Sequence, residues 1–361
     1  MKILYITNGI NGSGGLERVL SIKASMLTDQ YSYDVSILTL NEPNNQSFYD
    51  FSPNIKIVRV NTTRRNGLDY FLSYCRELQK EIHNIQPDII CVCDDGLKGF
   101  TLPVMIKTSA KWVYERHVSK LIDIKDTDNF FKKNISSMQW KLMEILAKNF
   151  DRFVVLTEKN LLEWERLNNI IVIPNPLSFN NDQISTLDNK KVICVGKISY
   201  QKGQDILINL WKEVNKKFPE WQLHLYGKED LNFINTNELG NNIFFHPPEK
   251  KILQKYLESS IYVMPSRFEG FGMVLIEAMI CGLPCISFDC NYGPSDIIVN
   301  NEDGFLVQNG NSDLFKKRLE QLIQDEKLRK NMGKKSRDNV ERFSANHIVA
   351  TWNNLFKELM K

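Results

Sequence analysis

Two glutamates with seven residues between them, Glu269 and Glu277, stand in the segment SRFEGFGMVLIEAMICGLP, residues 266–284. Gly270, Phe271 and Gly272 follow the first glutamate, and an apolar run that reads as a helix begins near Met273. A glycine loop that opens a helix exposes N–H groups with no intrahelical partner. Those donors, with the helix dipole, favour an anionic or hydroxyl-rich ligand. Glu277, about one turn inside the helix, is placed to accept hydrogen bonds from two vicinal hydroxyls, such as a ribose diol. Bonds of this charge-assisted kind contribute roughly 1.5–3 kcal/mol each. Taken alone, the segment reads rather as a capped helix with a surface glutamate.

Three further groups carry chemistry. In VGKISYQKGQDILI, residues 195–208, a strand runs into a loop that holds Lys197 and Lys202. Two cations at the carboxyl end of a strand suit a diphosphate leaving group, or else form a solvated basic loop. In GINGSGGLERV, residues 9–19, glycines that include Gly14 and Gly15 precede a helix, without the G-x-G-x-x-G spacing of a dinucleotide fingerprint. In YERH, residues 114–117, His117 ends a strand. Asp94 and Asp95 follow the strand DIICVC and read as a solvated turn rather than as the two acids of a hydrolase. Thr157 reads as a helix N-cap.

The elements that must position these residues alternate along the chain. Short β-branched runs (KILYITNG, YDVSILTL, IKIVRV, DIICVC, KWVYERH, RFVVLT) lie between amphipathic stretches, which predicts a parallel sheet with helices on both faces. The pattern restarts at KVICVGKI, after the polar stretch 178–190. Two Rossmann-like α/β domains are therefore expected, 1–175 and 176–344, facing a central cleft. Such sheets bind ligands at the carboxyl ends of their strands. A last helix, about 345–361, is expected to cross back to the first domain with Trp352, Leu355 and Leu359 as its buried face.

Composition excludes several classes. The chain has 361 residues and a net charge of +3, with 22 Lys+Arg against 20 Asp+Glu in residues 1–175, so neither nucleic acid nor another polyanion is an expected partner. The seven cysteines show neither a disulfide framework nor zinc-ligand spacing, and read as buried thiols in a reducing cytosol. No apolar run reaches the length of a membrane span, and no signal peptide precedes the first strand, so a cytoplasmic protein is expected. Residues 98–152 carry 11 Lys+Arg against 6 Asp+Glu and include Phe130, Phe131, Lys132, Lys133, Trp140, Lys141 and Lys148. This mixture either rests on an anionic membrane, on the inner face of the cell membrane, or covers the first sheet with its basic side in water.

The spacing of Glu269 and Glu277, with the surrounding EGFG and EAM…G.P residues, resembles glycosyltransferase family 4, and the resemblance extends over nearly the whole chain. It implies a GT-B fold and a retaining transfer from a nucleotide-sugar, expected to be a UDP-sugar, to a saccharide or polyprenyl-diphosphate-linked acceptor. By the same resemblance Glu269, His117 and Lys202 would serve the chemistry. Gly14, Gly15, Lys197, Lys202, Gly270, Phe271, Gly272 and Glu277 would bind the donor. Gly227 and His246 fall where the family places the nucleobase. Lys197 departs from the family's usual arginine, supplying charge without a bidentate fork. No metal and no cofactor are implied. A nucleotide-sugar epimerase and a non-catalytic sugar-nucleotide-binding protein remain as alternatives on the same fold.

Overall fold

The computed structural model describes residues 1–43, 46–62, 67–94, 96–120, 130–228, 234 and 242–361, with 68 and 130–136 described for the backbone alone. The chain divides into two compact units. One comprises Met1–Ser178 with Ala345–Lys361, and the other Phe179–Ser344.

The first unit runs β1 (Lys2–Thr7), α1 (Gly15–Asp29), β2 (Asp34–Leu40), β3 (Lys56–Val60), α2 (Leu68–Ile85), β4 (Ile89–Cys93), α3 (Leu97–Met105), β5 (Lys111–Glu115), α4 (Phe130–Ala147), β6 (Arg152–Val155), α5 (Glu158–Leu161) and β7 (Ile170–Val172). Its seven strands are all parallel, in the order β3-β2-β1-β4-β5-β6-β7. Both faces of the sheet are covered, so central strands read as unbroken apolar runs rather than as alternation. Leu4 and Ile6 of β1 enter one core with Tyr114, Phe153 and Trp164. Ile3 and Tyr5 enter the core on the other face. Thr157 caps α5 by accepting from the Asn160 N–H.

The second unit runs β8 (Lys191–Val195), α6 (Gln204–Lys217), β9 (Gln222–Tyr226), β10 (Ile243–His246), α7 (Ile252–Leu257), β11 (Ile261–Met264), α8 (Met273–Ile280), β12 (Cys285–Asp289), α9 (Pro294–Ile297), β13 (Gly304–Gln308), α10 (Ser312–Gln324) and α11 (Glu326–Asn339). Its six parallel strands are ordered β10-β9-β8-β11-β12-β13. Asn311 and Asp325 side chains accept from the first-turn N–H groups of α10 and α11.

The closing helix, α12 (Ala345–Leu359), belongs to the first unit. It buries Ile348, Val349, Trp352, Leu355 and Phe356 in the core that holds Leu20, Ala24 and Leu27 of α1, with Leu359 packed at the edge. The Tyr33 hydroxyl donates to Asn353 Oδ1 at 2.6 Å.

In each sheet the strand order reverses once, between β1 and β4 and between β8 and β11. A parallel sheet opens a crevice at such a reversal, beyond the carboxyl ends of the strands. The glycine loop leaves β1, the lysine loop leaves β8 and the first glutamate's loop leaves β11. The motif loops therefore stand where the topology makes room for a ligand.

Candidate active site

In the second unit, two loops are fastened together at the β8/β11 reversal. Lys202, about a quarter exposed, donates to both carboxylate oxygens of the buried Glu269, at 2.7 and 2.9 Å. The Ser266 hydroxyl donates to Glu269 Oε1 at 2.6 Å. An ammonium has three donors. Two go to Glu269, and the third has no partner among the described residues. The approach depends on Gly203, whose φ is +68°; a Cβ there would lie 2.0 Å from the Pro265 carbonyl oxygen. Arg267 reinforces the junction. It makes a bidentate pair with Asp205 at 2.9 and 2.6 Å, and donates to the Tyr200 carbonyl at 2.7 Å. Lys197 lies in the same loop, exposed.

The glycine segment after Glu269 opens α8 as expected. Gly272 is its N-cap in a left-handed conformation, φ +97° and ψ 49°. Phe271 is buried, and Gly293 fits against it so closely that a Cβ would meet the Phe271 carbonyl oxygen at 1.8 Å. Glu277 is almost wholly buried, and the Tyr256 hydroxyl of α7 donates to its Oε2 at 3.2 Å. Burial pushes the Cys194 and Cys281 thiols up to about 12. All seven cysteines are buried, and none is in a disulfide.

In the first unit, Gly14 is the extended N-cap of α1, and Gly14 and Gly15 are exposed. The loop before them is shaped by Glu42, which accepts from the Ile10 and Asn11 N–H groups, each at 2.7 Å. His117 follows β5, its side chain 8% exposed and its Nε2 3.3 Å from Glu115 Oε2. Lys23 of α1 forms a buried ion pair with the same Glu115 oxygen. The Lys23 ammonium sits 3.9 Å from the centre of the Trp352 ring and 5.0 Å from that of Tyr5. Burial alone would raise the Glu115 carboxyl, but the Lys23 charge and the His117 hydrogen bond outweigh it and lower its pKa.

Asp94 corrects the expectation of a solvated turn. It is buried, accepts from Asn8 Nδ2 at 3.1 Å and the Gly96 N–H at 2.9 Å, and pairs with Lys98 at 3.3 Å. It ties the ends of β1 and β4 together. Asp95 lies outside the described residues. So does one Asp-x-Asp triplet, Asp126–Thr127–Asp128; the resemblance gives it no role. Among the described residues, Cys93, Glu115 and His117 bring three potential metal-ligand atoms within 4.8 Å of one another. The Lys23 ammonium already neutralises that carboxylate, so a divalent cation would have to share it with a buried positive charge.

The structure thus joins Lys202 to Glu269 in one unit, and in the other places His117 in a charged network that the motifs did not reveal. One signal for that network was present in the sequence. Lys23 falls on the apolar stripe of α1, with Val19, Leu20, Ala24 and Leu27, where an unpaired lysine would be costly. Ser266, Gly203, Arg267 and Tyr256 gave no comparable signal.

Comparison with known proteins fixes the family. The sequence profile described as "Glycosyl transferases group 1" matches residues 179–339. The amylovoran biosynthesis glycosyltransferase AmsD of Erwinia amylovora is 30% identical over 373 residues, covering 98% of this chain and 99% of that protein. The fold matches a crystal structure of Staphylococcus aureus TarM in complex with fondaparinux, alpha-GlcNAc-glycerol and UDP, with a TM-score of 0.80, 18% identity, and 98% and 99% of the two chains covered. It also matches Anabaena Alr3699/HepE in complex with UDP-glucose, with a TM-score of 0.77, 18% identity, and 99% and 100% covered. A GT-B architecture, a profile matched by the second unit and a relative aligned end to end agree: the chain belongs to the group 1 glycosyl transferases.

Proposed function

We propose that this glycosyltransferase is a retaining, metal-independent enzyme of family 4. In this reading it moves a hexosyl group from a UDP-sugar to a hydroxyl of a saccharide or polyprenyl-diphosphate-linked saccharide. The observation that carries the reading is the Lys202–Glu269 pair at the β8/β11 reversal, beside the N-terminus of α8. The third donor of Lys202, the Lys197 ammonium and the first N–H groups of α8 suit a diphosphate. Glu269 suits sugar hydroxyls, and Glu277, steadied by Tyr256, a ribose diol. We assign Gly14 and Gly15 to close backbone approach to the donor, and His117 to the transferred sugar.

In the transfer, the bond from the anomeric carbon to the diphosphate oxygen breaks as the acceptor oxygen attacks from the same face. The leaving phosphate takes the acceptor's proton, so no separate base is needed. The protein contributes positioning and stabilisation of the leaving group's charge.

For the lipid-linked acceptor, support comes from α4. Met138, Leu142 and Ile145 recur at helical spacing on one exposed face, with the exposed Lys141 and Lys148. Trp140 faces the core, and the side chains of Phe130, Phe131, Lys132 and Lys133 lie outside those described. We assign this face to an anionic membrane surface, which places the protein peripherally on the inner face of the cell membrane. Flotation with anionic vesicles is expected to carry the protein, and to fail for Met138→Ser/Leu142→Ser/Ile145→Ser. Equal recovery of both would remove the membrane assignment.

The deciding assay measures nucleotide release from UDP-, GDP- and ADP-sugars, with and without a polyprenyl-diphosphate-sugar mimic, beside Glu269→Ala. Acceptor-dependent release from a UDP-sugar, lost in the variant, is expected. Release without acceptor, accompanied by inversion at C2 of the sugar, would replace the reading with an epimerase. Tight UDP binding with no turnover across the panel would leave a binding protein.

A further inference from the structure

Beneath α1 and α12, at the carboxyl ends of β1, β4 and β5, five side chains from separate elements meet around one carboxylate. Glu115 is 2% exposed. The Lys23 ammonium, 92 residues away in sequence and 1% exposed, holds its Oε2. Trp352 and Tyr5 enclose the ammonium. Cys93 lies beside the carboxylate, and its neighbour His117 turns Nε2 toward it at 3.3 Å. A buried lysine–glutamate pair is weak evidence for stability, because desolvation of two charges offsets most of their attraction. Its orientation toward a strand-end histidine is the feature that needs explaining.

The chemistry fixes the histidine's proton. An ionised carboxylate only accepts hydrogen bonds. The ring nitrogen facing it must therefore carry the hydrogen, which makes neutral His117 the Nε2–H tautomer. Nδ1 then keeps a lone pair, and it has no hydrogen-bond partner among the described residues. Lys23 keeps Glu115 ionised and in place, so the tautomer is set from inside the core rather than by solvent.

We propose that Glu115, anchored by Lys23, is a positioning residue that fixes His117 as the Nε2–H tautomer, so that Nδ1 accepts a hydrogen bond from a hydroxyl of the bound saccharide. The inference rests on the transferase reading for the identity of the saccharide, whereas the tautomer is a property of the protein alone. His117 then recognises a hydroxyl as an acceptor and does not donate to it. Reversing the tautomer would set two acceptors face to face, the Nε2 lone pair and the Glu115 carboxylate.

The test has two arms. In the first, protein labelled with 15N-histidine is studied at pH 8 by long-range proton–nitrogen correlation, and the His117 signal is assigned by its loss in His117→Gln. The wild type is expected to show Nε2–H, and Lys23→Met/Glu115→Gln a mixture of tautomers. The paired change removes both charges together and keeps similar volume, so the fold is retained where a single change would strand a buried charge. A wild-type Nδ1–H tautomer, or a tautomer unchanged in the paired variant, would overturn the proposal.

In the second arm, nucleotide-release kinetics are compared for wild type, the paired variant, His117→Ala and the triple combination. The paired variant is expected to lose roughly 10- to 100-fold in kcat, with little change in donor KM. It should lose nothing further in the His117→Ala background. Additive losses would mean that the pair acts structurally and not through His117. If the wild type turns over no sugar nucleotide, the transferase reading has failed, and the first arm still decides the tautomer.

Discussion

At the scale of single residues, Lys202 and Lys197 separate two kinds of basic side chain that look alike in sequence. Lys202 is bonded to both oxygens of a buried carboxylate, whereas Lys197 is exposed in the same loop. Lys202→Ala leaves Glu269 with Ser266 as its one remaining side-chain donor among the described residues. Stripping one partner from a fully buried pair costs about 3–5 kcal/mol. Lys202 is about a quarter exposed, so water can replace part of the loss, and roughly 1–3 kcal/mol is expected from urea denaturation. Release of nucleotide should fall roughly 10²- to 10³-fold, as for loss of one donor to a developing anion. Lys197→Ala should leave stability unchanged and cost less in rate. Unchanged turnover in Lys202→Ala would remove the diphosphate from that loop. Both lysines were legible because the loop that carries them is local in sequence. The partners that fix their roles were not: Lys202 meets Glu269 across 67 residues, and Lys23 meets Glu115 across 92. Periodicity reports which side of an element a residue occupies, not which distant element packs there.

At the scale of elements, the alternation of strands and helices was legible because buried parallel strands leave unbroken apolar runs. What lies on the edge of the second sheet was not. Phe244 pairs in register with His224, and His246 with Tyr226, across β10 and β9. Their rings form a continuous stack, with centroids 4.3 Å apart for Tyr226–His246, 5.2 Å for His246–His224 and 4.9 Å for His224–Phe244. His224 Nδ1 lies 3.0 Å from His246 Nε2, so one of the two nitrogens must be unprotonated. Burial, followed by the His246 and Lys191 charges, lowers the His224 pKa to about 4, and burial also lowers that of His246. An unfolded histidine titrates near 6.5. Above that pH neither state binds the proton, and stability is unaffected. Between about 6.5 and 4 the unfolded chain takes up a proton that the folded edge refuses, so stability falls. The urea midpoint should therefore drop between pH 7.5 and 5.0 by more in the wild type than in His224→Gln. Parallel drops in the two proteins would mean that this edge does not sense acid.

At the scale of the whole molecule, the chain builds most of the first unit, then all of the second, and returns to the first for its last 17 residues, 345–361. That return is not an appendage. Ile348, Val349, Trp352, Leu355 and Phe356 all enter the core on one face of the seven-stranded sheet. Full burial of such side chains contributes about 1.5–3 kcal/mol each. Five of them sum to the order of the 5–15 kcal/mol that holds a typical domain folded. Trp352 also covers Lys23, so its loss would open the buried ion pair to water. The core of the second unit draws on none of these residues. Deletion of residues 345–361 is therefore expected to act on one unit selectively. Calorimetry should show one transition lost or strongly lowered and another kept near its original temperature. Hydrogen exchange should report lost protection in β1, β4 and α1, with β8, β11 and α8 still protected. UDP binding, if it resides in the second unit as the Lys202–Glu269 and Glu277 assignments require, should survive the deletion although turnover does not. Loss of UDP affinity together with the first unit's transition would show that the donor nucleotide needs residues of both units, and would move part of its binding to the glycine loop before α1.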